Sequence, residues 1–105
     1  MKKLNLAVLC SGGGTNLQSL IDAIEKGELS AQIKIVISNN SNAFALERAR
    51  KHNIQALHLS HKQFATPEEF DQRLLGILNE NQVDMIVLAG YMKMLSPAII
   101  RAYKN

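Results

Sequence analysis

Leu4-Asn5-Leu6-Ala7-Val8-Leu9-Cys10-Ser11-Gly12-Gly13-Gly14-Thr15-Asn16 decides the fold. An apolar run of strand length breaks into three consecutive glycines, and a helical pattern follows at once, with Leu17, Leu20, Ile21 and Ile24 spaced by three and four and Gly27 placed to stop it. Strand, glycine turn, helix is the opening unit of a parallel α/β sheet.

Outward from this unit the alternation continues. Further strands are expected at Ile33 to Ser38, Gln55 to Leu59 and Val83 to Ala89. Most are continuous apolar runs, as parallel strands covered on both faces should be. Helices are expected at Ala43 to His52, with Asn42 as its cap, at Pro67 to Asn81, and from Ser96-Pro97 onward. Thr66 and Glu69 stand at capping-box spacing. The implied fold class is a doubly wound, Rossmann-like parallel sheet of four βα units, with right-handed crossovers and helices on both faces. At 105 residues the chain suits one domain, and no repeat, linker or low-complexity tract divides it.

Composition excludes several function classes. With 47% apolar and 20% charged residues the chain is globular rather than disordered. Its net charge of +3 is spread too thinly for a nucleic-acid stripe. Apolar runs are strand-sized, so no membrane association is expected. The lone Cys10 allows no intrachain disulfide, which fits a cytoplasmic protein, and its place in the first strand points to a buried, inert thiol. His52, His58 and His61 form no metal spacing with it, and no metal is expected.

The glycine loop carries the chemistry. Consecutive glycines let the backbone approach a ligand closely, and the following helix N-terminus offers unpaired N–H groups at the positive end of its dipole. A dinucleotide fingerprint starting at Gly12 needs glycine at position 17, where Leu17 stands, and an acidic residue after the second strand, which instead ends Ile37-Ser38-Asn39-Asn40. A P-loop needs Gly-Lys-Ser or Gly-Lys-Thr, and the chain has Gly14-Thr15-Asn16. What remains is a small phosphate held by backbone amides, aided by the Thr15 hydroxyl and the Asn16 amide. The plainer alternative is that Thr15 caps the helix and the glycines only turn the chain. Gly90-Tyr91-Met92-Lys93-Met94-Leu95, at the exit of the fourth strand, would face this loop across the crevice and could wall an apolar slot.

Four segments taken in order resemble the phosphoribosylglycinamide formyltransferase family: Ser11 to Gln18, Ile37-Ser38-Asn39, Glu47-Arg48-Ala49, and Leu88-Ala89-Gly90-Tyr91-Met92-Lys93-Met94-Leu95-Ser96-Pro97. Related formyltransferases fit less well: a formyltetrahydrofolate deformylase would show a loop rich in His and Cys, and a methionyl-tRNA formyltransferase would lack the glycine-Thr-Asn arrangement. The resemblance implies transfer of a formyl group from the co-substrate 10-formyltetrahydrofolate to the amine of glycinamide ribonucleotide, in purine biosynthesis. It implies that Gly14, Thr15 and Asn16 hold the ribonucleotide phosphate, that Gly12 and Gly13 set the loop geometry, and that Met92, Lys93, Met94 and Leu95 line the pterin side of the folate pocket. Many relatives place an arginine contacting the folate near the start of the third helix, where this chain has Pro67.

In the family the Asn and His of an Asn-x-His-Pro-Ser segment, and a later Asp, perform the chemistry. None of them occurs before Asn105, and none of the three histidines here is followed by Pro-Ser. Residues 1–105 therefore read as the N-terminal phosphate-binding half of the formyltransferase domain, without catalytic residues and inactive alone. The fourth strand is then expected at an open sheet edge, inviting self-association or a complementing C-terminal half. A phosphometabolite-binding module and an inactive fragment are the alternatives.

Overall fold

The computed structural model describes residues 3–91 and 95–102. Strands β1 (Leu4–Cys10), β2 (Ala31–Ser38), β3 (Gln55–His58) and β4 (Met85–Leu88) alternate with helices α1 (Thr15–Glu25), α2 (Phe44–Lys51), α3 (Pro67–Glu80) and α4 (Pro97–Ala102). All strand pairs are parallel, in the order β3-β2-β1-β4. The chain thus winds outward from β1 to β3, then crosses to the other side of β1. That reversal puts the switch point between β1 and β4, as the sequence implies, with the glycine loop at its mouth.

Period-two alternation divides the core. Ala7, Leu9, Ile35 and Ile37 face Phe70, Leu74, Ile77 and Leu78 of α3 and Ile99 of α4. Val8, Cys10 and Val36 face Leu17 and Ile21 of α1 and Ala45, Leu46 and Ala49 of α2. Both faces of β1 are therefore sealed, and its last five residues are all buried. Burial lifts the Cys10 thiol to about 11, which keeps it protonated and unreactive at neutral pH.

The Thr66 capping box forms as read: its hydroxyl accepts from the Glu69 N–H at 3.2 Å, and the Glu69 carboxylate accepts from the Thr66 N–H, also at 3.2 Å. Pro67 occupies the first helical position. Three helix ends share one closure, a left-handed residue followed by a bond from the next N–H to a carbonyl five residues back. Gly27, Asn53 and Gln82 supply that conformation, with Glu28, Ile54 and Val83 donating to Ala23, Ala49 and Leu78.

One capping alternative is set aside and one capping expectation is corrected. Gly14, with φ of 80°, occupies the cap position of α1, and Thr15 is already helical, so Thr15 does not cap. Asn42 does not cap α2: its own N–H is taken by the Asn40 side chain at 3.1 Å, which leaves Ala43 at the cap position. The N–H that a side-chain cap would take, that of Ala45, instead donates to the Gly12 carbonyl at 3.2 Å. A distant backbone carbonyl replaces the local side chain.

Strand limits also shift. β2 begins two residues before Ile33, because Ala31 and Gln32 pair with Leu4 and Asn5, and a bulge accommodates Lys34. β4 is shorter than Val83 to Ala89, though the Asp84 and Ala89 N–H groups still donate to Asn5 and Leu9.

Candidate functional site

Gly12 to Asn16 lie at the carboxyl end of β1, where the sheet ends and α1 begins. Of the loop glycines only Gly14 is left-handed; a Cβ there would sit 2.8 Å from both Cα and Cβ of Ala45. Added Cβ atoms at Gly12 or Gly13 would meet nothing within 4 Å. The first turn of α2 is therefore pressed against Gly14, while the open side of the loop lies at Gly12 and Gly13, both exposed.

Two carbonyls of the loop are committed to α2. That of Gly12 accepts from the Ala45 N–H at 3.2 Å, and that of Gly13 accepts from Arg48 Nε at 2.7 Å. Arg48 is the side chain at the loop that spacing arguments miss. It stands 35 residues from Gly13, and only the β2-to-α2 return brings it over the loop. Its Nη1 also donates to Gln18 Oε1 at 3.2 Å, and its guanidinium lies 4.8 Å from the Phe44 ring centroid. Ser11 Oγ donates to Asn39 Oδ1 at 2.6 Å, tying the loop to the end of β2.

The N-terminus of α1 has no side-chain cap and no acidic residue in its first turn. Thr15 and Asn16 are exposed there. Four N–H groups open every α-helix without intrahelical partners, and an anion is the natural complement of such an end.

Across the crevice, Gly90 bends the exit of β4 with φ of 73°. Tyr91 and Leu95 pack, half-buried, against the α3-side core, and burial raises the Tyr91 hydroxyl above its ordinary value. Met92, Lys93 and Met94 lie outside the described residues.

Each histidine has a partner among the described residues. His52 closes α2, with Nδ1 2.9 Å from Glu25 Oε2. His61 stacks on Phe70 at 3.8 Å between centroids, and His58 ends β3. His58 also lines, with Asn39, Asn40, Ser60 and Lys62, a polar cavity of about 430 Å³ at the ends of β2 and β3. Among the described residues no cluster suits a metal, and no helix is long and apolar enough to cross a membrane.

The family profile described as Formyl transferase matches residues 4–105. The chain is 44% identical over 103 residues to a phosphoribosylglycinamide formyltransferase of Haemophilus influenzae, covering 98% of this chain and 48% of that protein. It is 39% identical over 100 residues to the phosphoribosylglycinamide formyltransferase of Escherichia coli, covering 95% of this chain and 47% of that protein. The crystal structure of phosphoribosylglycinamide formyltransferase from Brucella melitensis superposes with a TM-score of 0.94 at 33% identity, over 99% of this chain and 54% of that one. The chain spans about half the length of these two curated relatives.

Proposed function

The chain belongs to the formyl transferase family, and on that footing we propose that it is the phosphate-gripping part of a phosphoribosylglycinamide formyltransferase of purine biosynthesis. Its substrate is then glycinamide ribonucleotide, with 10-formyltetrahydrofolate as formyl donor and the cytoplasm as its place of work. The observation that carries this reading is the uncapped start of α1 behind a glycine loop at the switch point of the sheet. Backbone N–H groups of Gly14, Thr15 and Asn16 hold the phosphate, and the glycines at 12 and 13 leave room for its oxygens. By family analogy Met92, Lys93, Met94 and Leu95 form the pterin side of the folate pocket, beyond Tyr91. Pro67 cannot supply the charged folate contact that an arginine would make.

Formyl transfer passes through a tetrahedral oxyanion and releases a proton from the attacking amine. Beside the loop, among the described residues, no acid or base stands ready for either task. His52 pairs with Glu25, His61 stacks on Phe70, and His58 faces the Gln63 side-chain amide. Residues 1–105 by themselves are therefore proposed to bind the ribonucleotide without turning it over. Calorimetry should detect glycinamide ribonucleotide and, more weakly, inorganic phosphate, while a folate-dependent assay of the same polypeptide shows no turnover. Absence of binding by folded protein defeats the phosphate reading, and turnover defeats the inactivity.

We further propose that β4 seeks a strand partner, in a complementing segment or a second copy. It pairs only with β1 among the described residues, and Leu88 is 52% exposed on it. Sedimentation of residues 1–105 should show concentration-dependent association, and a clean monomer at high concentration counts against it.

A further inference from the structure

We infer that Arg48 is a positioning residue that fixes the orientation of the Gly13–Gly14 peptide, so that its N–H and not its carbonyl is presented to the phosphate. The inference rests on the phosphate reading of the loop and deepens it.

The argument begins with the planar trans peptide, whose C=O and N–H point in opposite directions. Between two glycines this unit meets the least steric resistance to rotation, since neither flanking residue has a Cβ. A loop of three glycines can therefore present a carbonyl to the crevice as easily as an N–H. A carbonyl there would repel an anion. What decides between the orientations must come from outside the loop.

Helix α2 supplies it. The Gly12 carbonyl is held by the Ala45 N–H, a backbone contact that any residue at 45 could make. The Gly13 carbonyl is held only by the Arg48 side chain among the bonds described, at 2.7 Å. With that oxygen drawn toward α2, the N–H of the same peptide is turned away from α2. The bond is charge-assisted, which makes it stronger than a neutral one.

Arg48 is itself anchored on more than one side. Gln18 Oε1 accepts from Nη1 at 3.2 Å, and the Phe44 ring lies under the guanidinium. The Gln18 amide is oriented in turn, because its Nε2 donates to Asp22 Oδ1 at 3.0 Å and faces His52 Nε2 at 3.4 Å. That leaves its oxygen for Arg48. An exposed phenylalanine and a mid-helix glutamine, neither explained by core packing, thus acquire one purpose. Lysine cannot replace this arrangement, because a single ammonium lacks the planar fork that reaches two acceptors at once.

The test uses the full polypeptide that carries this chain, titrated with inorganic phosphate and with glycinamide ribonucleotide by calorimetry. Arg48→Met should weaken both by about tenfold or more, the scale of one lost charge-assisted bond. Arg48→Lys should recover only part of the loss. A purely structural role would not move the second readout, the hydrogen-exchange protection that saturating phosphate confers on the Gly14 amide, measured beside the core amides of β1. That protection should shrink in Arg48→Met while the β1 amides stay protected. Should Arg48→Met fail to fold, Gln18→Met, which frees the guanidinium from one side, should show the same changes at smaller size. Wild-type protein that binds neither probe overturns the phosphate reading and this inference together. Wild-type binding matched by Arg48→Met, or equal loosening of loop and core amides, overturns the inference alone.

Discussion

Gly14→Val is expected to abolish measurable binding of glycinamide ribonucleotide and to destabilise the fold. Two independent effects act at this position. A left-handed backbone costs an L-residue about 1–2 kcal/mol, more when it is β-branched. The new Cβ would also lie 2.8 Å from Cα and Cβ of Ala45, a contact that no rotamer change relieves because one of those atoms is backbone. Forcing α2 away adds about 1–3 kcal/mol of overpacking strain. The displacement further pulls apart the two bonds by which α2 holds the Gly12 and Gly13 carbonyls. Loss of ligand should therefore exceed about a hundredfold, since more than one backbone donor is misplaced. Thermal melts with and without ligand check both parts. Gly13→Ala is the informative comparison, because its Cβ meets nothing in the protein. It should leave the melting temperature unchanged and weaken binding only through collision with the phosphate. A Gly14→Val protein that melts and binds like wild type would show that α2 does not press on the loop.

Leu74→Ala carries the second large effect. Leu74 is fully buried in α3, in the cluster that includes Leu9, Ile37, Phe70 and Leu78. Deleting its isobutyl branches removes transfer energy and leaves a hole between helix and sheet, together about 3–4 kcal/mol. In a chain of this size that corresponds to a fall in melting temperature of roughly 12–25 °C. Leu75, the next residue, is only half-buried, and Leu75→Ala should cost less than about half as much. Urea unfolding of both variants measures the difference. Equal losses would contradict the face of α3 described above.

The two predictions differ in how visible their grounds are in the sequence. Leu74 belongs to a periodic apolar face on a helix whose start is announced by Thr66, Pro67 and Glu69. All of that information is local, and the helix and its core face emerge as read. The strands β1 and β2 are legible for the same reason, as long apolar runs, although Ala31 and Gln32 hide the true start of β2 behind a polar residue. Three αL helix ends were only partly legible: Gly27 declares one, whereas Asn53 and Gln82 take the same conformation without the residue type that signals it.

At the site, the glycine loop and its place after β1 could be read directly. Its fastening could not. The cap of α2 is the carbonyl of Gly12, and the grip on Gly13 comes from Arg48 in another helix. Neither leaves a trace in spacing, because each partner becomes a neighbour only after β2 has paired with β1. Glu47-Arg48-Ala49 drew attention as part of a family likeness, but nothing in those three residues alone says what the arginine touches.

One polar residue at the opposite end of the sheet governs how the molecule comes to be assembled. The Asn5 N–H donates to Asp84 Oδ2 at 2.8 Å, its side-chain amide donates to the Gln82 carbonyl at 2.9 Å, and its Oδ1 accepts from Gln32 at 2.8 Å. The Asp84 N–H returns a bond to the Asn5 carbonyl at 2.7 Å. Asn5 thus reads the register of β2 and of the approach to β4 at once, across a sequence separation of 79 residues in its bond to Asp84. During synthesis the first strand can meet β2 early, but its other flank waits until β4 has also left the ribosome. The side of the crevice built by β1 and β2 therefore matures before the β4 side, whose closure is slowed by the entropy of the long intervening loop. A nascent chain stalled before β4 would already own its glycine loop while its central strand still lay open along one edge.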